Sequence, residues 1–252
     1  RPVAPASSRR AGNSLGAVEQ IARTLSHLLQ RLRDPQIDLS DERADVLMEA
    51  MERNVRHLSA LAHRQRYVSL RASLHPMVAV VQEMAIKHGK DVRVQLDLAE
   101  PEVERALLKA LRPSLIHLLR NAVAHGIESG DERVAAGKSR TATVTISVVR
   151  DGTTLRLAVS DDGRGFDSQA LRSAAILSGA LSEDAAAAAP DEDITRLAFL
   201  PGVSTSLAAD DLSGSGMGLT AVAEDIAAMG GKVFVESEPG RGAKVTIQVP
   251  LP

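Results

Sequence analysis

Two histidines and an asparagine stand four residues apart in IHLLRNAVAHG, residues 116–126: His117, Asn121 and His125. On a helix that spacing makes one polar stripe, bordered by Leu118, Leu119, Ala122 and Val123. The amide oxygen of Asn121 is a ligand for a hard cation such as Mg²⁺. A neutral His117 one turn earlier can take or orient a proton, and His125 one turn later can donate to a phosphate. A hydrogen-bonded core asparagine between two ordinary histidines would look the same, and this segment alone leaves both readings open.

A second segment, VSDDGRGF at residues 159–166, puts Asp161 at the end of a strand and follows it with Gly163 and Gly165. Glycines lack a Cβ, so a flat ligand can approach their backbone, and Asp161 could accept an N–H from the edge of a base. An ordinary Asp-Gly turn is the alternative. A third segment, SGSGMGL at residues 213–219, leads Gly214, Gly216 and Gly218 into a helix, where free backbone N–H groups cradle anions. Its alternative is a flexible connection that opens a helix.

The elements that must position these residues fall into two parts. Leu15, Val18, Ala22, Leu25, Leu29 and Leu32 recur at spacings of three and four, the seam of an amphipathic helix that Asp34-Pro35 ends. From about residue 40, Leu47, Met51, Asn54, Leu58, Leu61, Gln65 and Val68 repeat the rhythm. Residues 14–68 therefore read as an antiparallel helical hairpin. A hairpin cannot cover its whole seam, and a second copy would complete a four-helix bundle, so a homodimer is expected. Residues 1–13 are rich in Pro, Ser and Arg and read as a linker, and a start at Arg1 rather than Met reads as a piece cut from a longer protein.

Over residues 69–252 the pattern changes. Helix is expected over 74–88, stopped by Gly89, then strand over 92–98. Helix follows over 102–125, broken near Pro113, with that proline opening the turn that carries His117. Alternating segments at 142–149 and 155–160 form a hairpin turning at Asp151-Gly152. Residues 162–215 read as loop-rich, with an alanine run at 185–189. A helix at 216–229 and strands at 232–236 and 244–249, turning at Pro239-Gly240, complete the pattern. The fold class is α+β: the hairpin, then an α/β sandwich with a mixed sheet and helices on one face.

Composition narrows the function classes. With 44% hydrophobic and 25% charged residues among 252, the chain can bury a core and is not a disordered polymer. A net charge of -2 and aromatics at only 2% argue against nucleic acid as a partner, since neither a basic surface nor a stacking platform is present. The absence of cysteine removes disulfides, thiolate-bound metals and thiol nucleophiles, and sits easily with a reducing, cytoplasmic setting. No apolar run approaches the roughly 18 to 20 residues of a membrane span, so direct membrane insertion is not expected.

In this order and on these elements, the three segments, with Phe199 in AFLPGVSTS, resemble the N, G1, F and G2 boxes of the GHKL ATP-binding family and its Bergerat-type α/β sandwich. Within it, HLLRNAVAHGIESGDERVAAGK, DDGRGFD and FLPGVSTS look specifically like the ATP-binding catalytic domain of the CheA-like chemotaxis histidine kinases, over about residues 66–252. The hairpin is similar to that family's dimerisation domain by position and heptad pattern. The resemblance implies an ATP pocket in residues 69–252 under a mobile lid between Phe166 and Ser213. Asp161 would bind the adenine amine and Asn121 would hold Mg²⁺ against the triphosphate. Arg120 and His125 match positions near the phosphates, Gly163, Gly165 and Phe199 belong to the pocket, and Gly214, Gly216 and Gly218 would shape the phosphate turn. His117 stands where hydrolysing relatives usually have a glutamate, and in CheA-like kinases it is thought to assist the attacking group.

By the same resemblance, the γ-phosphate of ATP passes to a histidine on a separate phosphotransfer domain, with a response regulator downstream. The acceptor is expected outside these residues: His27 is followed by Leu28 and His57 by Leu58, without the acidic neighbour of hairpin acceptors, and His63 is read as a surface or seam residue. Two other functions compete. One is a clamp ATPase of the same family, which His117 in place of a glutamate disfavours; the other is a nucleotide-binding scaffold without chemistry.

Overall fold

The computed structural model describes residues 18, 20–30, 42–99, 102–200, 202–203 and 219–251. The chain divides into two compact units, Arg1–Val68 and Ser69–Pro252. In the first, residues 20–30 are helical and α1 (Glu42–Arg66) runs for 25 residues. Ile21, Leu28 and Leu47 are buried, and Met51, Asn54, Leu58 and Leu61 continue the seam half-buried. The polar member of that seam is satisfied within the helix, since the Asn54 amide donates to the Ala50 carbonyl at 2.8 Å. Val46, Met48 and Val55 remain exposed. The connection at residues 31–41, with Leu15 and Leu32 of the expected seam, lies outside the described residues.

The second unit is built on a five-stranded mixed sheet. After β1 (Tyr67–Ser69) and α2 (Leu70–Lys87) come β2 (Val92–Leu98), β3 (Glu102–Glu104) and α3 (Arg105–Asn121). A single π-helical turn over Ala122–Gly126 extends α3, and α4 (Gly130–Ala135) follows. The hairpin β4 (Ala142–Asp151) and β5 (Thr154–Asp161) turns on Gly152, whose φ of 59° a β-carbon would disfavour. Then come α5 (Ser168–Leu177), α6 (Glu183–Ala188), α7 (Asp191–Arg196), a 3₁₀ turn (Leu197–Phe199), α8 (Leu219–Ala228), β6 (Lys232–Glu238) and β7 (Gly242–Pro250). The sheet order is β2-β4-β5-β7-β6, with β2 parallel to β4 and the other pairs antiparallel. Val144, Ile146 and Val148 of β4, Leu155, Leu157 and Val159 of β5, and Val245, Ile247 and Val249 of β7 alternate into the buried face beneath the helices.

Four expectations change. Helix α2 starts at residue 70 rather than 74, because the Ser69 hydroxyl accepts the Ala72 amide and caps it. Residues 102–104 are strand, and the helix starts only after them. Pro113 does not interrupt α3: an internal proline costs about 3 kcal/mol, but the helix buries Leu111, Leu115, Leu118 and Leu119 around it, and each buried leucine contributes about 1.5–3 kcal/mol. Finally, the stretch read as loop-rich holds three short helices. Asp167 caps α5 by accepting from Gln169 and Ala170, Ser182 caps α6 over the alanine run, and Leu171, Ala175, Ile194, Ala198 and Val203 close a small core of their own. Periodicity is hard to see over helices of six to ten residues, which is why composition alone suggested loops.

Candidate functional site

Helix α3 delivers His117, Arg120 and Asn121 at its C-terminal end, and β5 delivers Asp161 at the end of the central strand. Between these two ends the backbones touch. The Arg164 amide donates to the Gly126 carbonyl at 2.8 Å, and a β-carbon on Gly163 would stand 2.2 Å from that same oxygen. A β-carbon on Gly126 would lie 3.1 Å from Asp161 Oδ1. The residues after the helix and the residues after the strand therefore form one surface, and only glycine fits at position 163. Gly165 takes φ of 74° as the chain turns past Ser237 and Glu238.

The π turn modifies the expected stripe. Its wider winding pairs the Ile127 amide with the Ala122 carbonyl at 2.8 Å and turns the following residues relative to an α-helix. His117 and Asn121 are half-buried while His125 is exposed. Lys90, from the loop before β2, stabilises the turn by donating to the Val123 and Ala124 carbonyls, both at 2.8 Å. Burial and then Arg164 lower the Lys90 pKa.

Electrostatics separate the two titratable groups at the site. Burial, then the charges of Arg120 and His125, hold the His117 imidazolium below the usual histidine value. Its Nε2 is enclosed with no hydrogen-bond partner among the described residues, as is the Ser114 hydroxyl one turn earlier. Burial pushes Asp161 up to about 6, against the opposing hydrogen bonds of the Gly163 and Ala243 amides, with Asp162 and Glu128 adding further upward push. Its Oδ1 accepts the Gly163 amide at 3.0 Å.

A buried ionic cluster, which no expectation from the sequence assigned, fixes the loop after Asp161. Arg133, 2% exposed, donates from Nε to the Ser139 carbonyl at 2.7 Å and from its terminal nitrogens to Glu128, the Asp162 carbonyl and the Asp162 carboxylate. Lys138 Nζ donates to Glu128 at 2.7 Å, to the Asp162 carbonyl at 3.1 Å and to the Gly163 carbonyl at 2.7 Å. The local signal is the capping box of α4, where Ser129 and Glu132 exchange side-chain and backbone hydrogen bonds and so fix the helix that carries Arg133.

Phe199 lies half-buried at the end of the 3₁₀ turn. Gly214, Gly216 and Gly218 lie outside the described residues. Among the described residues no group of three His, Asp or Glu side chains could hold a metal ion. An apolar hollow lined by Leu107, Ala110, Met229, Pro250 and Leu251 sits at the other end of the sheet, since Pro250 pairs with Thr154 and Ala243 with Asp161.

The profile of the family described as "Histidine kinase-, DNA gyrase B-, and HSP90-like ATPase" matches residues 110–252. A gliding motility regulatory protein of Myxococcus xanthus is 35% identical over 232 residues, 92% of this chain and 30% of the relative. A chemotaxis protein CheA of Halobacterium salinarum is 31% identical over 236 residues, 94% of this chain and 35% of the relative. The chain thus spans about a third of the length of these relatives. Among solved structures, a histidine kinase domain of a blue-light activated kinase from Erythrobacter litoralis is 15% identical with a TM-score of 0.45, covering 92% of this chain and 96% of that one.

Proposed function

The chain belongs to the histidine kinase-, DNA gyrase B- and HSP90-like ATPase family, and from that premise we propose that it is the core of a CheA-like histidine kinase, transferring the γ-phosphate of ATP to a histidine on a separate phosphotransfer domain. The observation that carries this reading is the junction at Gly126 and Gly163, which seats a half-buried strand-end carboxylate beside a helix end bearing a histidine and an asparagine. Asp161 would accept the adenine amine, and the missing side chain at 163 lets the loop after Asp161 seat against the Gly126 carbonyl. Arg120 and His125 are exposed at the helix end, where their N–H groups suit phosphate oxygens.

Mg²⁺ would supply charge neutralisation to the triphosphate. The residues present fit that ion: Asn121 offers a single neutral oxygen and no carboxylate cage surrounds it among the described residues, which suits an ion that keeps its waters and binds largely through phosphates. His117 is kept neutral by burial and neighbouring cations. With Nε2 enclosed, proton exchange falls to Nδ1. As the acceptor imidazole bonds to phosphorus and ADP departs, His117 would take the proton that the acceptor ring loses.

Residues 14–68 would pair two copies of the chain. The half-buried seam of α1 and the exposed Leu29, Val46, Met48 and Val55 support that pairing, because one hairpin leaves this apolar surface uncovered. The same reading takes the kinase to be cytoplasmic, with a response regulator downstream; no helix among the described residues is long and apolar enough to cross a membrane. The deciding experiment supplies γ-labelled ATP and candidate phosphotransfer domains. Acid-labile, base-stable phosphate on the added domain is the expected result, whereas release of inorganic phosphate alone would make the chain a clamp ATPase.

A further inference from the structure

The buried cluster around Glu128 is expensive to keep. Removing charges from water usually costs as much as their pairing returns, so an apolar cluster of the same size would stabilise the fold equally well. What an apolar cluster could not do is hold a carbonyl. Arg133 and Lys138 both donate to the Asp162 carbonyl, at 3.2 and 3.1 Å. That carbonyl belongs to the same peptide unit as the Gly163 amide, which donates to Asp161 Oδ1 at 3.0 Å. In a planar trans peptide the C=O and N–H point in opposite directions. Cations gripping the oxygen on one side therefore aim the N–H on the other.

Neighbouring bonds remove the remaining freedom. The Asp162 carboxylate accepts the Thr143 amide at 3.0 Å and pairs with Arg133 at 3.0 Å. Lys138 also holds the next carbonyl, that of Gly163, at 2.7 Å. Without these cations a glycine peptide is free to flip, since residue 163 has no side chain to resist it.

We propose that Lys138 and Arg133 are positioning residues for base selection: by clamping the peptide unit between Asp162 and Gly163, they orient the Asp161 carboxylate toward the ligand that the site accepts. This rests on the reading of the site as an adenine-nucleotide pocket. The carboxylate accepts from an exocyclic amine and repels a carbonyl in the same place, so its orientation decides between adenine and a base that presents a carbonyl there, such as guanine.

The test compares Mg-ATP and Mg-GTP binding by calorimetry for the 252-residue chain and for Lys138→Met and Lys138→Arg. Lys138→Met should weaken ATP binding about tenfold and leave GTP nearly unchanged, so that the GTP-to-ATP ratio of Kd falls; Lys138→Arg should recover part of that ratio. A folded Lys138→Met that keeps the original ratio, or loses both nucleotides equally, would overturn the proposal. A second measurement needs no nucleotide. The Gly163 amide resonance of the unsubstituted chain should follow the titration of Asp161 near pH 6 and lose that dependence in Lys138→Met. A Gly163 amide that ignores pH in the unsubstituted chain overturns the clamp even if Lys138→Met fails to fold. If the chain binds no ATP while the Gly163 amide behaves as described, the clamp stands and the nucleotide reading falls.

Discussion

The amide of Arg164 donates to the carbonyl of Gly126 at 2.8 Å, and through this one bond the loop after the central strand is seated on the π turn that ends α3. A methyl group at position 163 would meet the same carbonyl at 2.2 Å. Contact that close with backbone cannot be relieved by a side-chain rotation, so the two segments would have to part.

Gly163→Ala should therefore separate them, lowering stability by about 1–3 kcal/mol, the usual cost of overpacking. Mg-ATP binding should fall together with the unfolding free energy. Urea denaturation and calorimetry check both, and a variant that matches the parent in each would show that the contact carries no function.

Asp161 links the site to pH. Burial lifts its carboxyl from 3.8 to about 6, so the folded chain binds this proton more tightly than the unfolded chain does. Its contribution to stability therefore declines as pH rises from about 4 to about 6, by about 3 kcal/mol in all. ATP affinity should move the other way and weaken below about pH 6, where the carboxyl is protonated. In Asp161→Asn both trends should vanish, as measured by denaturation midpoints and Kd across that range.

His117 and Asn121 should separate by kinetics. Because burial and nearby cations lower the His117 pKa, kcat should persist somewhat below pH 6.5, the ordinary imidazole value. His117→Gln should cost about 100-fold in kcat with little change in ATP Kd. Asn121→Ala should abolish Mg-ATP turnover with the melting temperature unchanged, since no hydrogen bond of its side chain appears among the described residues. Normal phosphotransfer by the Asn121 variant would remove its assignment as the ion's ligand.

Ser114 offers a prediction in the opposite direction. Its hydroxyl is buried inside α3 without a partner among the described residues, so Ser114→Ala should stabilise the fold by about 1 kcal/mol. A loss of stability in urea denaturation would reveal a bound water or a rotamer shared with His117.

Truncation before about residue 68 should yield a monomer that still binds Mg-ATP, because Ser69–Pro252 forms a compact unit with its own sheet and core. Light scattering of the shortened chain checks this, and a dimer would move the pairing surface out of the hairpin.

The alternating strands, the glycine stops and the seam of α1 are legible in the residues themselves, because period and turn chemistry are local properties of a chain. The pairing of a helix bearing His117 and Asn121 with a strand ending at Asp161 is implied only by the family resemblance, since each segment alone leaves an ordinary alternative open. Long-range forces decided the rest. Burial of Leu111 and Leu115 carried α3 through Pro113, the wider turn at Ala122–Gly126 drew on Lys90 from another loop, and a core of five small and branched side chains turned a polar, alanine-rich stretch into helices. The clamp on the peptide after Asp162 is the clearest case: Arg133 and Lys138 lie 29 and 24 residues from the carbonyl they hold. No local pattern announces such a contact, because its energy exists only once the two segments have been folded together.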